Sequence, residues 1–221
     1  MVQGGAYAEY IVLEEEHAAI KPKNISFEEA ASIPLAALTA YQSLFDAAEL
    51  QSGETVLIHA AAGGVGGFGV QLAKDRGATV WGTASGHSSE YVKDLGGDRV
   101  VDYSQVDFRE AVRSEYPDGV DVVFDCVGGE VLQKSTDIVK KAGRLISIVD
   151  DPSGLARSDI YKEFVFVAPN SAQLTELARM AEQGRLKTHL SQVFLFGLEE
   201  AKKAHELSES GRTRGKMVLV I

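Results

Sequence analysis

The chain has 221 residues, a single cysteine and a formal net charge of −10, with 45% hydrophobic and 24% charged residues. That is the balance of an ordinary water-soluble globule with room for one domain or one and a half. The negative charge gives no general attraction to nucleic acid or to an anionic membrane. No apolar run reaches the ~20 residues that span a bilayer, and Cys126 alone permits neither an internal disulfide nor a multi-cysteine metal site. With no basic-then-apolar leader pattern, the expected location is the cytoplasm.

Taken in chain order, residues 5–13 alternate crudely and predict a strand. Glu14, Glu15 and Glu16 follow, read either as a solvated turn or as a site for a metal or cationic group. Ser26 and Glu29 have the spacing of a capping box and start a helix. Pro34 interrupts it, and a second helical pattern runs from Leu35 to about Ala48. From Glu54 strands and helices alternate. Strands are expected at 55–59, 78–83, 99–102, 119–125, 144–149 and 163–167, with helices after the glycine cluster to Arg76 and at 91–95, 108–116, 130–141 and 172–183. A strand at 192–196, a helix at 198–208 and a strand at 216–221 close the chain. This alternation predicts an α/β fold, a Rossmann-type doubly wound parallel sheet with helices on both faces.

The most informative segment runs from His59 to Gly69, His-Ala-Ala-Ala-Gly-Gly-Val-Gly-Gly-Phe-Gly. Its Ala61-x-Gly63-x-x-Gly66 spacing is a dinucleotide fingerprint with alanine in the first glycine's place. The turn must be tight, the backbone at Gly63 must approach a pyrophosphate, and Gly66 must let helix and strand pack. The helix that follows offers N–H groups and a positive dipole end to the phosphates. A P-loop is excluded, because Gly211–Lys216 is one residue short and Met217 stands where a magnesium-binding hydroxyl belongs. A short-chain dehydrogenase lacks support, since no tyrosine has a lysine four residues on. At 83–89, where an NAD site places an acid on the ribose, there is no carboxylate; Ser85, His87 and Ser88 could instead donate to a 2′-phosphate. A polar loop without a ligand is the plain alternative. The missing acid also speaks against a methyltransferase.

Several stretches then resemble a known family. Leu38–Phe45, Gly53–Gly66, Phe124–Gly129 and Ala204–Leu219 are similar to the medium-chain dehydrogenase/reductase family, most of all its zinc-independent quinone oxidoreductase (zeta-crystallin-like) branch. The resemblance implies an NADPH-binding oxidoreductase acting on a quinone or an α,β-unsaturated carbonyl. It implies that Thr39 contacts the nicotinamide end and that Ala62, Gly63, Gly64, Val65 and Gly66 hold the pyrophosphate. Ser85 would sit at the 2′-phosphate pocket, with Tyr103 beside the adenosine phosphate. Asp125, Cys126 and Val127 would line the cofactor, Val149, Phe166 and Val167 would approach the nicotinamide, and Lys216 would add a C-terminal contact. No catalytic acid is identified. With five scattered histidines and one cysteine, no metal site is expected. The expected division is a remnant of a GroES-like β domain at 1–33, a Rossmann domain at 34–186 and a return segment at 187–221, with roughly a hundred residues of the catalytic domain absent. A homodimer is expected through the apolar strand 163–167, at the sheet edge. The competing functions are a non-catalytic dinucleotide-binding module and, less favoured, a methyltransferase using S-adenosylmethionine.

Overall fold

In the computed structural model residues 6–211 and 213–221 are described. Gly5, the first residue of the expected N-terminal strand, and Arg212, in the turn compared with a P-loop, lie outside the described residues. The chain divides into two compact units, Thr39–Phe166 and a second made of Met1–Leu38 with Val167–Ile221.

The first unit is built on six parallel strands, β1 (Thr55–Ile58), β2 (Thr79–Ala84), β3 (Arg99–Asp102), β4 (Val120–Asp125), β5 (Val139–Ser147) and β6 (Tyr161–Phe164). Their order is β3-β2-β1-β4-β5-β6. Central strands of such a sheet are covered on both faces, so they read as apolar runs rather than alternations. All four residues of β1 are buried, as are Val122, Val123 and Phe124 of β4. Leu57, Trp81, Val112, Val123, Ile138 and Leu145 form part of one continuous core. Helices α3 (Gly66–Asp75), α4 (Ser89–Asp94), α5 (Phe108–Glu115) and α6 (Gly129–Ser135) link the strands. The strand order reverses between β1 and β4, which opens a crevice at the carboxyl ends of the strands.

Three boundaries differ from expectation. The helix expected over 130–141 stops at Ser135, passes through a single turn at Thr136–Ile138, and β5 begins at Val139 rather than 144. Ile138 and Val139 are buried β-branched residues, and Val139 pairs with Val120, so sheet packing wins over helix continuation. The sixth strand is Tyr161–Phe164, not 163–167, because β5 ends at Ser147, opposite Phe164. Val165 still donates to the Ser147 carbonyl at 2.9 Å, and Phe166 then stands 72% exposed. The helix from Pro34 becomes a π-helical turn at Gln42–Ala47.

In the second unit the expected strand at its start is absent, since residues 6–13 make no ladder. Glu14, Glu15 and Glu16 are exposed, the last two in a single 3₁₀ turn. The capping box is formed: Ser26 Oγ accepts from Glu29 N–H at 3.1 Å, and Glu29 Oε2 accepts from Ser26 N–H at 2.8 Å, starting α1 (Phe27–Ala31). α2 (Pro34–Tyr41) begins here. α7 (Ser171–Glu182) follows the sheet unit, and β7 (Leu190–Leu195), α8 (Leu198–Glu209) and β8 (Lys216–Val220) end the chain, with β7 and β8 paired in parallel. Asn24 ties α7 to the N-terminal segment by donating to the Ala181 and Glu182 carbonyls at 3.3 Å. No described helix is long and apolar enough to cross a membrane.

Candidate functional site

The loop between β1 and α3 lies at the switch point. Its shape is set first by contacts beneath it. His59 is buried, with Nδ1 3.1 Å from Thr83 Oγ1 of β2 and Nε2 2.9 Å from Ser135 Oγ of α6. Its ring meets Phe108 edge-on at 4.7 Å. Burial lowers its pKa to about 3, so the imidazole is neutral and ties three elements together. Ala60 takes a left-handed backbone, φ +50°, which only glycine adopts without cost. Ala61 N–H donates to the Thr83 carbonyl at 3.0 Å and Gly63 N–H to the Ala60 carbonyl at 2.8 Å.

The glycines leave room where a side chain would not fit. A Cβ on Gly66 would run into the Ala60 carbonyl oxygen and stand 3.0 Å from Ala61 Cα; one on Gly63 would come to 3.1 Å from the same oxygen. Among the described residues of this unit, none accepts a hydrogen bond from the N–H of Ala62, Gly64, Val65 or Gly66. A row of backbone donors at the start of a ten-residue helix suits a pyrophosphate. The residues in hand therefore fit a dinucleotide.

The loop after β2 is polar. Ser85 Oγ is 3.0 Å from His87 Nδ1 and 3.4 Å from Ser88 Oγ. His87 is exposed, whereas Ser88 is buried. Tyr103 projects beyond β3, 60% exposed, its N–H donating to the Ala84 carbonyl at 3.3 Å. Sequence reasoning missed the residue before it. Asp102 pairs with Ala84 across the sheet and approaches Gly86. Its Oδ1 accepts from the N–H and hydroxyl of Ser104, at 3.0 and 2.7 Å. An Asp-x-Ser turn at the end of a strand was the available signal.

At the ends of β4 and β5 two carboxylates shape the loops. Asp125 was expected to line a cofactor; its side chain instead points inward and is fully buried. It accepts from Val127 N–H at 3.1 Å, from Gly128 N–H at 3.0 Å and from Ser147 Oγ at 2.8 Å. Burial raises its pKa most, and the Ser147 and backbone donors pull it back. Asp150 accepts from Gly129 N–H at 2.7 Å, and Gly128, φ +78°, is packed so closely that a Cβ there would stand 2.6 Å from Asp150 Oδ2. Val127 and Val149 are then presented to solvent, 45% and 46% exposed. Burial also raises the pKa of Cys126 well above the ordinary thiol value, so this is not an activated nucleophile. Thr39, in α2, is buried.

The sheet unit thus gathers the residues around Gly63, Ser85, Tyr103, Val127 and Val149 at one edge, the carboxyl ends of parallel strands. Val167 and Lys216 belong to the second unit. Val167 is buried there, and Lys216 opens β8, its pKa lowered by burial.

Residues 95–219 match the protein family described as zinc-binding dehydrogenase. The chain is 35% identical to a probable zinc-binding oxidoreductase, mitochondrial, of Arthroderma benhamiae, the match covering 99% of this chain and 69% of that protein. It is 36% identical to the 2-methylene-furan-3-one reductase of Solanum lycopersicum, over 98% of this chain and 53% of the relative. The crystal structure of Escherichia coli quinone oxidoreductase complexed with NADPH superposes with a TM-score of 0.81 at 29% identity, covering 92% of this chain and 68% of that one. The chain therefore spans between about half and about two thirds of these relatives' lengths.

A catalytic zinc takes three protein ligands drawn mostly from histidine and cysteine. Among the described residues, the group that converges is Glu14, Glu16 and His17, with ligand atoms within 4.8 Å of one another. It is two exposed carboxylates and one imidazole on a short surface turn, with His17 Nε2 3.8 Å from Glu16 itself. Cys126 is not part of it. These residues do not build a catalytic zinc site.

Proposed function

We propose that this chain, which belongs to the zinc-binding dehydrogenase family of the medium-chain dehydrogenases/reductases, is the dinucleotide-binding part of an NADPH-dependent oxidoreductase that reduces a quinone or an α,β-unsaturated carbonyl. The observation that carries this reading is the turn from β1 into α3, where Gly63 and Gly66 let the chain fold tightly against Ala60 and a row of backbone donors is left without protein acceptors. NADPH in the crystallised Escherichia coli relative, and a conjugated methylene ketone in the name of the tomato relative, support the choice of cofactor and substrate class.

When bound, the cofactor supplies a hydride from its nicotinamide C4. The chain's own part is binding and orientation. Ala62, Gly63, Gly64, Val65 and Gly66 hold the pyrophosphate, with the dipole of α3 behind them. Ser85, His87 and Tyr103 flank the adenosine ribose. Asp125 and Asp150 fix the loops that bring Cys126, Val127 and Val149 against the cofactor. Thr39 and Phe166 complete the set within this unit, toward the nicotinamide. In the proposed division, residues 1–33 and 187–221 belong with a GroES-like β domain and 34–186 form the cofactor domain. A cytoplasmic homodimer joined along β6 completes the picture, since that strand is a sheet edge with Phe164 and Phe166 exposed.

The test is calorimetric titration of the chain with NADPH. Saturable one-to-one binding is expected. Absence of binding at millimolar nucleotide would overturn the assignment of this loop.

A further inference from the structure

The loop after β2 carries no acid of its own, yet one reaches it from the neighbouring strand. Asp102 is the last residue of β3 and lies opposite Ala84, the last of β2. Both hydrogen bonds from Ser104 fall on Oδ1, which fixes the carboxylate's rotation. Oδ2 is thereby aimed at the next loop: a Cβ built on Gly86 would stand 2.5 Å from it. The Ser104 hydroxyl, foremost, keeps Asp102 ionised by lowering its pKa, so the carboxylate lies charged against the Gly86 backbone. Gly86 lies between Ser85 and His87, the two side chains expected to greet a 2′-phosphate.

The loop has no Lys or Arg to neutralise an anionic group entering here. The incoming charge also meets a carboxylate of the same sign. His87 is the cationic candidate beside Asp102; Lys93 of α4 is paired with Glu90 at 2.8 Å. A ribose 2′-hydroxyl escapes this repulsion, because it is neutral and can donate to a carboxylate.

We infer that Asp102 is the specificity-determining residue of the site, a carboxylate lent by β3 that restrains binding of the 2′-phosphate and keeps the pocket open to NADH. This rests on reading the β1–α3 loop as a dinucleotide site. Like-charge juxtaposition acts on NADPH and leaves NADH largely untouched.

The test is direct binding of NADPH and of NADH to the full chain and to Asp102→Asn and Asp102→Ser, at low salt. The ratio of NADPH to NADH affinity is expected to rise about tenfold in both variants, chiefly through NADPH. The ratio is insensitive to a general loss of folded protein, which weakens both nucleotides alike, and thermal melts follow folding separately. If wild type binds both nucleotides and neither variant moves the ratio more than twofold, Asp102 does not set specificity while the site stands. If both variants lose both nucleotides with melting unchanged, Asp102 is a prop for the loop and the inference is wrong. If wild type binds neither nucleotide, the site reading itself fails, and this inference with it.

Discussion

Two parts of the crevice are shaped by opposite means. The β1–α3 loop is specified by missing atoms: Gly66 has no room for a Cβ beside the Ala60 carbonyl, and its donors stay available. The loops after β4 and β5 are specified by added polar groups, with Asp125 and Asp150 gathering the N–H groups of Val127, Gly128 and Gly129. The first arrangement tolerates no enlargement. The second tolerates no loss of an acceptor. A clearance fails by collision and a clasp fails by leaving buried donors unpartnered, so the two regions answer differently to substitution.

The largest expected effect is at the clearance. Gly66→Asp should abolish NADPH binding and also destabilise the chain, by more than about 4 kcal/mol, since the new side chain must displace the Ala60 carbonyl and place a charge against backbone. Titration and a denaturant melt measure both losses. A folded variant with wild-type affinity would break the comparison at its first term. At the clasp, Asp125→Ala strips an acceptor from Val127 N–H, Gly128 N–H and Ser147 Oγ. It should cost about 3 kcal/mol, seen as a melting temperature lower by roughly 6–12 °C, and weaken NADPH while leaving some binding. A melt within 1 °C of wild type would show that the carboxylate organises nothing.

Acid sharpens the contrast further, through His59 beneath the glycine loop. Its folded pKa, about 3, lies below the unfolded value near 6.5. Its contribution is therefore complete above about pH 6.5 and is lost as pH falls toward 3, with a slope of at most about 1.4 kcal/mol per pH unit. His59→Gln should flatten that part of the stability–pH profile; an unchanged slope would assign it to other groups. The smallest effect concerns β6. Phe164→Lys should turn a homodimer into a monomer by light scattering while moving stability by less than about 0.5 kcal/mol. Val165 is a poor place for this test, because its N–H is already bonded within the sheet to Ser147. A monomeric wild type at micromolar concentration would remove the dimer altogether.

How much of this was legible in the sequence follows from the same distinction. The alternation of strands and helices, the glycine loop and the capping box at Ser26 are local signals, written in apolar runs and in residue types at short spacing. The roles of Asp102, Asp125 and His59 depend on partners 16 to 76 positions away, Gly86, Ser147 and Ser135 among them, and no local pattern announces such a pair. Asp125 is instructive, because its place beside Cys126 and Val127 was evident while the inward direction of its carboxylate was not. The early start of β5 was hidden for a related reason. Lys140, Lys141 and Ala142 suit a helix, and only burial of Ile138 and Val139 against distant neighbours reverses that preference.

Ala60 has a further consequence. At φ +50° its backbone sits in a region where a side chain costs about 1 kcal/mol. Glycine would relieve that cost, but it would also widen the range of turns open to the loop. The methyl group narrows that range while the chain folds, so less conformational freedom is left to lose when a ligand arrives. One strained alanine thus moves part of the entropy of association into the act of folding, and Ala60→Gly is expected to give a loop that is more relaxed and slower to commit.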